Sequence, residues 1–508
     1  MSVRQRISIL LLAIIAGCTS LPEEIQHTIE PKAIQPITTL SALVNGYLEQ
    51  QPQSEKSAVL LQNSGWDALA QRLALIETAE HSIDIQYYIW NSDASGHYLA
   101  NRLMAAAERG VKISVMLDDI NINEREGLLV ALDRHPKIEI RIFNPTSSRR
   151  GLAKWLSFAN DFSRLNRRMH NKSFTVDGVL SIVGGRNIGD EYFDLSDEIN
   201  FRDRDVLAMG KVVADIQTSF ADYWNSRWSY PVNLLSDKTV VNLPILNEAP
   251  TPLYQHYPKL PEGNTLAHSY LKHLMEQFTW VNAYFVSDLP VPKNANHTNT
   301  PKTTARLLAD LAHQSEQQIL LESAYLIFDD SHLTALQELT NNGIEVKALT
   351  NSMASNDLLA NHSGYAGRRL GMLENGMQLF ELKPDTSLCE ASTKDKAKCA
   401  PEVPYGLHAK SIVFDRKIAS IGSFNLNLRS TYLNTESILV IENHDIAEAL
   451  AVDIEQAMDE SNSWRLGLRD GDIHWYSEET SWKRDPETGQ WERIKSKLLQ
   501  FLPIEKYL

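Results

Sequence analysis

The chain has 508 residues, of which 43% are hydrophobic. A single hydrophobic core rarely extends beyond roughly 250 to 300 residues, so we expect two domains. The formal net charge of −15 weighs against a general nucleic-acid binder, because affinity for the phosphate backbone depends on an excess of Lys and Arg.

The N-terminus has the layout of an export signal. Arginines near the start precede an apolar run, residues 7–15, which is too short to span a membrane comfortably, and small residues follow up to Cys18. Residues 15–18 resemble a bacterial lipobox, whose cysteine is acylated and becomes the mature N-terminus. A simple cleaved signal, or a short anchor with an incidental cysteine, is the alternative.

We therefore predict a lipoprotein signal peptide over residues 1–17 and a tether over residues 18–55. The protein is expected to be exported and lipid-anchored to a bacterial membrane, facing the periplasm. Thr19 follows the cysteine, and by resemblance to bacterial lipoproteins the absence of an aspartate there favours the outer membrane over the inner membrane.

The chain then describes the same α/β unit twice. Strands that alternate with helices predict a mainly parallel or mixed sheet covered on both faces, so each copy is expected to be an α/β layered domain. In each copy a helix, a strand, a second helix and a second strand follow in that order. In the first copy the helix is 66–80, the strand is 82–89, the second helix ends at Gly110 and the second strand is 111–117. In the second copy the helix is 304–315, the strand is 318–325, the second helix ends at Gly343 and the second strand is 344–349.

These copies set the predicted domain boundaries, at residues 56–230 for the first domain and 302–470 for the second. Prolines are frequent in residues 231–301, which predicts a connector or irregular insertion. Residues 471–508 are predicted to form a C-terminal amphipathic tail. Its apolar face is expected either to pack against the protein body or to dock onto a membrane surface, and it consists of Trp491, Ile494, Leu498, Leu499 and Leu502.

Two cysteines remain after Cys18, at positions 389 and 399. In an exported chain without other cysteines this pair predicts a disulfide between Cys389 and Cys399. A metal site is the weaker alternative, because no second Cys or His pair lies nearby at ligand spacing.

The strongest signal is the pattern HxKxxxxD, which occurs once in each copy. At the same distance after each histidine there follows a pair of small residues, and shortly after that an asparagine. The candidate catalytic residues are His170, Lys172, Asp177, His408, Lys410 and Asp415; the small pairs are Gly184-Gly185 and Gly422-Ser423, and the asparagines are Asn187 and Asn425.

This spacing has a physical explanation. Residues two apart on a strand project to the same face, so the His and Lys of one motif can meet one ligand. Asp177 and Asp415 each precede a short apolar strand, where a hairpin turn is expected, and are therefore scaffold rather than catalyst. Gly185 and Ser423 are expected to allow a phosphate to approach the backbone, and the asparagine amides to donate to its oxygens.

The pair of motifs suits transfer at a phosphodiester. One imidazole has to be neutral to attack phosphorus, while the other has to be protonated to release the leaving alkoxide, and histidine, with a reference pKa of ~6.5, can supply both states. The two lysines neutralise the nonbridging oxygens. This design needs no metal and no cofactor.

These motifs resemble the HKD motifs of the phospholipase D superfamily, and the resemblance covers nearly the whole chain after the tether. It implies two phospholipase D-like domains that share one active site at their interface, with a covalent phosphohistidine intermediate. His170 is then the nucleophile and His408 the general acid, while Lys172, Lys410, Asn187 and Asn425 hold the phosphate.

The superfamily also places an acidic residue where it orients each histidine. By this resemblance Glu436 is expected to orient His408. In the first copy Asp203 is expected to orient His170, with Asp205 as the rival.

Within the superfamily, residues 166–178, 183–192 and 422–430 are similar to bacterial cardiolipin synthases, above all to the C-type group. This similarity implies transfer of a phosphatidyl group to the headgroup hydroxyl of phosphatidylglycerol, with phosphatidylethanolamine as a further candidate substrate. An exported phosphodiesterase that hydrolyses phospholipid is the alternative. A nuclease is disfavoured by export and by the acidic composition, and a non-enzymatic module by the two intact motifs.

A basic segment with interleaved aromatic residues, 149–172, leads into the first motif. It is expected to contact an anionic lipid interface. A solvated helix, or a guide for single-stranded nucleic acid, is the alternative.

Overall fold

The computed structural model describes residues 37–49, 57–120, 122–146, 162–235, 257–290, 300–393, 395–502 and 505–508. The predicted signal peptide, Cys18 and most of the tether lie outside the described residues, as does the part of the basic segment before residue 162. In the ranges that are described, no helix combines the length and the apolar character needed to cross a bilayer.

The first half combines a sheet with helices. Its strands are β1 (Ser57–Gln62), β2 (Ser82–Tyr87), β3 (Lys112–Asp118), β4 (Ile138–Phe143), β5 (Ser173–Val176), β6 (Leu180–Gly184), β7 (Asn200–Arg202), β8 (Asp205–Gly210) and β9 (Ser229–Pro231). Its helices are α1 (Thr39–Glu49), α2 (Gly65–Thr78), α3 (Ala94–Glu108), α4 (Ile122–Leu132), α5 (Phe162–Leu165) and α6 (Val212–Trp224).

The rest of the chain repeats this plan. Its strands are β10 (Thr279–Ser287), β11 (Gln318–Ser323), β12 (Glu345–Asn351), β13 (Gln378–Leu382), β14 (Tyr405–Leu407), β15 (Lys410–Phe414), β16 (Ile418–Gly422), β17 (Ser437–Glu442), β18 (Ser463–Arg469), β19 (Asp472–Ser477) and β20 (Thr480–Trp482). Its helices are α7 (Asn264–Met275), α8 (Thr303–His313), α9 (Asp330–Asn341), α10 (Leu359–Glu374), α11 (Ser387–Thr393), α12 (Leu428–Tyr432), α13 (His444–Met458) and α14 (Gln490–Leu499).

The fold class is α/β, with two repeated halves as the sequence predicted. The first half has the strand order β9-β4-β3-β2-β5-β6-β8-β1, and the second β10-β17-β16-β15-β11-β12-β13-β18-β19-β20. Parallel pairing is limited to β2, β3 and β4 in one sheet and to β11, β12 and β13 in the other. The remaining pairs within these sheets are antiparallel, so both sheets are mixed rather than mainly parallel.

The two sheets join edge to edge. Strand β1 pairs antiparallel with β10, with Ser57 opposite Val281, and this seam makes one continuous sheet of both halves. An apolar cluster spans the seam, since Val59 and Val206 of the first half pack in the same core as Leu439 of the second. Burial on both faces explains the nearly continuous apolar sequence of strands such as β3.

The predicted connector contains regular structure within its described part, residues 257–290. Helix α7 packs into the first core, and β10 forms the seam. In the sequence these prolines fall before α7 and after β10, so they interrupt neither element. The predicted boundary between the second domain and the tail falls in the turn of the β18–β19 hairpin, where Arg469 pairs with Asp472.

Candidate active site

One cleft of about 750 Å³ is lined by both motif histidines, His170 and His408. Each histidine is fixed by the backbone of the opposite half. The amide N–H of His170 donates to the carbonyl of Thr435 at 2.9 Å, and that of His408 donates to the carbonyl of Arg202 at 2.8 Å. The two motifs are therefore held against each other at the interface between the halves.

The carboxylate that orients His170 comes from the second half. The Nδ1 atom of His170 lies 2.8 Å from Oε2 of Glu436, which is fully buried. Hydroxyl groups of Ser423 and Ser430 donate to the same carboxylate, at 2.5 and 2.7 Å. The neutral imidazole then carries its proton on Nδ1 and leaves the lone pair of Nε2 for chemistry.

The carboxylate that orients His408 comes from the first half. Its Nδ1 lies 2.5 Å from Oδ2 of Asp203. The predicted assignments, Glu436 to His408 and Asp203 to His170, are therefore wrong as pairs, although both carboxylates belong to the site. The reason is topological: β7 pairs in parallel with β14, which carries Asp203 across to His408.

The rival residue Asp205 has a different partner. It forms a buried ion pair of 2.9 Å with Arg72 within the first half. The neighbouring Arg202 reaches into the second half, where its Nε lies 3.0 Å from Glu322, and Arg204 also pairs with Glu322. The segment around Asp203 is thus fixed by ion pairs on both sides.

The motif aspartates lie away from the reacting groups, so their place in the candidate catalytic set is corrected. The carboxylate of Asp177 accepts three backbone N–H groups from residues 80–82 at 2.8–3.1 Å, and Asp415 accepts the equivalent three from residues 316–318. Both aspartates have positive φ, 48° and 50°. As predicted from the turn chemistry, they anchor the hairpin after each motif.

The predicted phosphate contacts of Gly185 and Ser423 are also corrected. A Cβ on Gly185 would lie 2.2 Å from Oδ1 of Asp203, so this glycine makes room for the carboxylate that orients His408. The hydroxyl of Ser423 donates to Glu436, and its carbonyl oxygen lies 2.9 Å from Nδ1 of His170. Small residues are needed here for packing against the orienting groups.

The lysines of both motifs are buried. Nζ of Lys172 donates to the carbonyl of His170 at 2.7 Å, and Lys410 makes the same bond to His408. Burial lowers the pKa of Lys172 to about 7 and that of Lys410 to about 8. An anion in the cleft would stabilise the charged form of both.

Burial also lowers the pKa of the two histidines, to about 4 for His170 and about 3 for His408, against the opposing effect of their carboxylates. The charges of both lysines contribute to lowering the pKa of both histidines, because the two motifs lie close together. Burial raises the pKa of Asp203 and Glu436, but the histidines and lysines hold both below their usual range. Neutral imidazoles thus face ionised carboxylates.

Asn187 and Asn425 both line the cleft, as does a set of aromatic residues that the sequence did not single out. Asn187 is partly used by the protein, because its Nδ2 donates to the hydroxyl of Tyr192. The ring of Tyr88 lies edge-on to His170 at 4.9 Å, and that of Tyr192 edge-on to His408 at 5.0 Å. Tyr88 directly follows the parallel strand β2, and this position in the sequence could have indicated that it lies at the site.

Cys389 and Cys399 form a disulfide, and its loop supports a wall of the cleft. The hydroxyl of Ser392 donates to Asp194, and the carbonyl of Lys398 accepts from Asn200. These bonds flank Ser196, Glu198 and Ile199 of the first half, which line the cleft.

The described part of the basic segment has structural partners. Arg168 forms a buried ion pair of 3.1 Å with Asp118, which also accepts the amide of Met169. Arg164 donates to the side chain of Asn144. These arginines position the first motif. Within the part of the chain that the structure describes, no group of three His, Cys, Asp or Glu side chains is arranged to hold a metal ion.

Two duplicated α/β halves that bring both motif histidines to one cleft, each with the buried lysine of its motif bonded to its carbonyl, define a phospholipase D-type enzyme. The family described as "Cardiolipin synthase, PLD-like domain" matches residues 73–224 and again 308–458. The chain belongs to this family, and it is an enzyme of the phosphatidyltransferase class in the phospholipase D superfamily.

Relatives and solved structures agree with this placement. Cardiolipin synthase C of Escherichia coli (strain K12) is 38% identical over 459 residues, which cover 86% of this chain and 93% of that protein. Cardiolipin synthase A of Pseudomonas syringae pv. syringae (strain B728a) is 25% identical, over 79% of this chain and 68% of its own. The phosphatidylserine synthase of Haemophilus influenzae Rd KW20 has the same fold, with a TM-score of 0.55 at 12% identity over 92% of this chain and 100% of its own.

Proposed function

We propose that the protein is a cardiolipin synthase-like phosphatidyltransferase, which moves a phosphatidyl group from one phospholipid to the headgroup hydroxyl of phosphatidylglycerol. The carrying observation is that His170 and His408 line one cleft with Nδ1 of each held by a carboxylate. The choice of lipid chemistry is supported by the relative that is 38% identical along most of the chain.

The reaction runs through a phosphohistidine. Nε2 of His170 attacks phosphorus and forms a P–N bond, while the bond to the headgroup alcohol of the donor breaks and His408 gives that alkoxide its proton. The acceptor hydroxyl then attacks the same phosphorus, its proton passes to His408 and the P–N bond breaks. The order of the two histidines follows the superfamily, in which the first motif more often supplies the nucleophile.

The protonation state of the site fits this order of events. Burial holds the pKa of both histidines well below neutrality in the free enzyme, so His170 begins as a neutral nucleophile. The phosphodiester brings a negative charge, which favours the imidazolium form of His408 and the ammonium forms of Lys172 and Lys410. Substrate binding is therefore accompanied by uptake of the proton that the leaving group needs.

We further propose that the tail docks onto a membrane. Helix α14 packs on α10 through the side of Ser496, whose carbonyl accepts from Ser363. Its apolar face points outward, with Trp491 73% exposed, and just beyond the helix Phe501 is 84% exposed. The same segment ends at Tyr507 and Leu508, which line the cleft, so the apolar surface adjoins the entrance to the site.

For localisation we propose export and lipid anchoring through Cys18, to a bacterial membrane facing the periplasm, with the outer membrane favoured. The export-like N-terminus and the lipobox-like residues 15–18 support this. The disulfide between Cys389 and Cys399 also supports it, because disulfides persist in oxidising compartments.

The test is product analysis with purified protein. Vesicles of phosphatidylglycerol, with and without phosphatidylethanolamine, are incubated with the enzyme, and the products are resolved by mass spectrometry. Cardiolipin supports the proposal, phosphatidic acid alone shows a hydrolase, and cleaved DNA without lipid turnover shows a nuclease. His170→Ala and His408→Ala should each abolish turnover, and a chelator should leave the rate unchanged.

A further inference from the structure

An apolar pocket lies between α8 and α9, on the side of the second sheet that these helices cover. We call it the α8–α9 pocket. Its volume is about 290 Å³, near the lower end of the roughly 300–1,000 Å³ of small-molecule sites. The floor consists of buried side chains from strands β11, β12 and β15, namely Ile319, Leu321, Val346, Ile412 and Phe414. The polar residues Arg306 and His313 lie on the exposed rim.

Comparison with the first half explains why the pocket exists. Asp177 accepts the N–H groups of residues 80–82, and Asp415 accepts those of residues 316–318. Residues 80–82 of the first half therefore correspond to residues 316–318 of the second. In that register, three large residues of α2 correspond to three alanines of α8 that line the pocket. The first-half residues are Leu69, Leu73 and Ile76, all fully buried, and their counterparts are Ala305, Ala309 and Ala312.

Helix α9 likewise carries smaller or more polar side chains at the pocket than its counterpart α3 carries in the first half. Gly110 and Gly343 follow α3 and α9 with positive φ and set their register. Tyr98 and Leu99, buried in the first core, then correspond to Ser331 and His332 at the pocket. The second half thus has an open apolar pocket where its duplicate has a filled core, and exposed apolar surface of this kind marks a binding site.

The pocket shares a wall with the catalytic cleft. Along the segment 424–432, Phe424, Leu426 and Tyr432 line the pocket, while Asn425 and Ser430 line the cleft. The pocket and the cleft are therefore neighbours, and an apolar part of a molecule bound between the two histidines would reach the pocket by passing around this segment.

We propose that the α8–α9 pocket binds one acyl chain of the phospholipid whose phosphate occupies the catalytic cleft. The proposal rests on the phospholipid chemistry of the proposed function. The floor offers hydrocarbon contacts that suit an unbranched chain, and each methylene buried there strengthens binding about fourfold. The pocket thereby selects substrates by chain length, and the cleft recognises the headgroup and phosphate.

The first experiment fills the pocket with the residues of the first half, as the variant Ala305→Leu/Ala309→Leu/Ala312→Ile. Rates are measured with dioleoyl- and dihexanoyl-phosphatidylglycerol in detergent micelles. The ratio of kcat/KM for the long chain over the short chain should fall at least tenfold, since excluding two methylenes already costs about sixteenfold. Ala449→Leu, on the exposed face of α13, is the matched control and should keep the ratio. An unchanged ratio in a folded triple variant, judged by its melting temperature, overturns the proposal.

A second experiment separates this proposal from the proposed function, because it needs binding without turnover. The His170→Ala protein is irradiated with phosphatidylglycerol that carries a diazirine near the end of one acyl chain, and the labelled peptides are mapped by mass spectrometry. Labelling of α8, α9 or residues 424–432 that is lost in the filled variant supports an acyl site. Labelling confined to other parts of the chain refutes it, even if cardiolipin is the product.

Discussion

Replacing Glu436 by Gln should impair the orientation of the His170 ring and leave that of the His408 ring unchanged, although Glu436 and His408 belong to the same half of the chain. The carboxylate of Glu436 accepts from His170 Nδ1 at 2.8 Å and is fully buried. A hydrogen bond to a charged group contributes about 1.5–3 kcal/mol. At about 1.4 kcal/mol per tenfold, its loss lowers kcat by about 10- to 150-fold.

The assay combines rates with a direct view of each ring. In ¹⁵N-histidine-labelled protein, the nitrogen shifts of His170 should move in Glu436→Gln, because its Nδ1 proton loses its charged acceptor. Asp203→Asn is the matched variant and should move the shifts of His408 alone. His170→Gln and His408→Gln assign the signals.

The pairing across the halves would be refuted by either of two results. One is a shift of His408 in Glu436→Gln with no change at His170. The other is full activity in both carboxylate variants, which would show that neither carboxylate orients a catalytic ring.

Three further outcomes are expected. The kcat/KM for phosphatidylglycerol should fall as pH rises through about 7 to 8, because Lys172 and Lys410 have their pKa there and lose their charge above it; a flat alkaline profile would contradict this. Gly185→Ala should lower kcat about as strongly as Asp203→Asn with little change in melting temperature, because the added Cβ displaces the Asp203 side chain. In Gly422→Ala the added Cβ would lie 2.2 Å from backbone, so this variant should have a lower melting temperature in thermal denaturation. Trp491→Ser/Phe501→Ser should weaken binding to phosphatidylglycerol vesicles about tenfold or more, as measured by co-sedimentation. Activity on dihexanoyl-phosphatidylglycerol should persist. Vesicle binding equal to that of the unchanged protein would exclude α14 as the docking surface.

The duplicated motif was enough to predict the two halves and the scaffold role of Asp177 and Asp415, and its resemblance to the HKD motifs implied the shared site. Its spacing on strands, and the turn after each strand, are local properties of the sequence. The carboxylate partners could not be assigned in this way. Glu436 and Asp203 follow their own motif histidines along the chain, but each reaches the histidine of the other half, and only the strand pairing between the halves decides this.

Other features of the structure were not predicted from the sequence for similar reasons. The frequent prolines obscured α7 and β10, because they punctuate the ends of these elements rather than interrupt them. The small residues after each motif predicted close approach correctly, but the group that approaches Gly185 is a carboxylate of the protein. The outward apolar face of α14 was one of two alternatives, and helical periodicity alone does not say whether such a face meets protein or lipid.

The seam between β1 and β10 has a consequence for how substrates are exchanged. Backbone hydrogen bonds between β1 and β10 join the halves, and an apolar core spans this seam. The two halves therefore cannot move apart to open the cleft without breaking the sheet. In the proposed reaction the donor lipid, the departing alcohol and the acceptor lipid would then enter and leave by the cleft that both halves line, while the phosphoryl group stays on His170. Leu358 and Tyr507 line this cleft and are exposed, so substitutions there are expected to change the rates of substrate entry and product release.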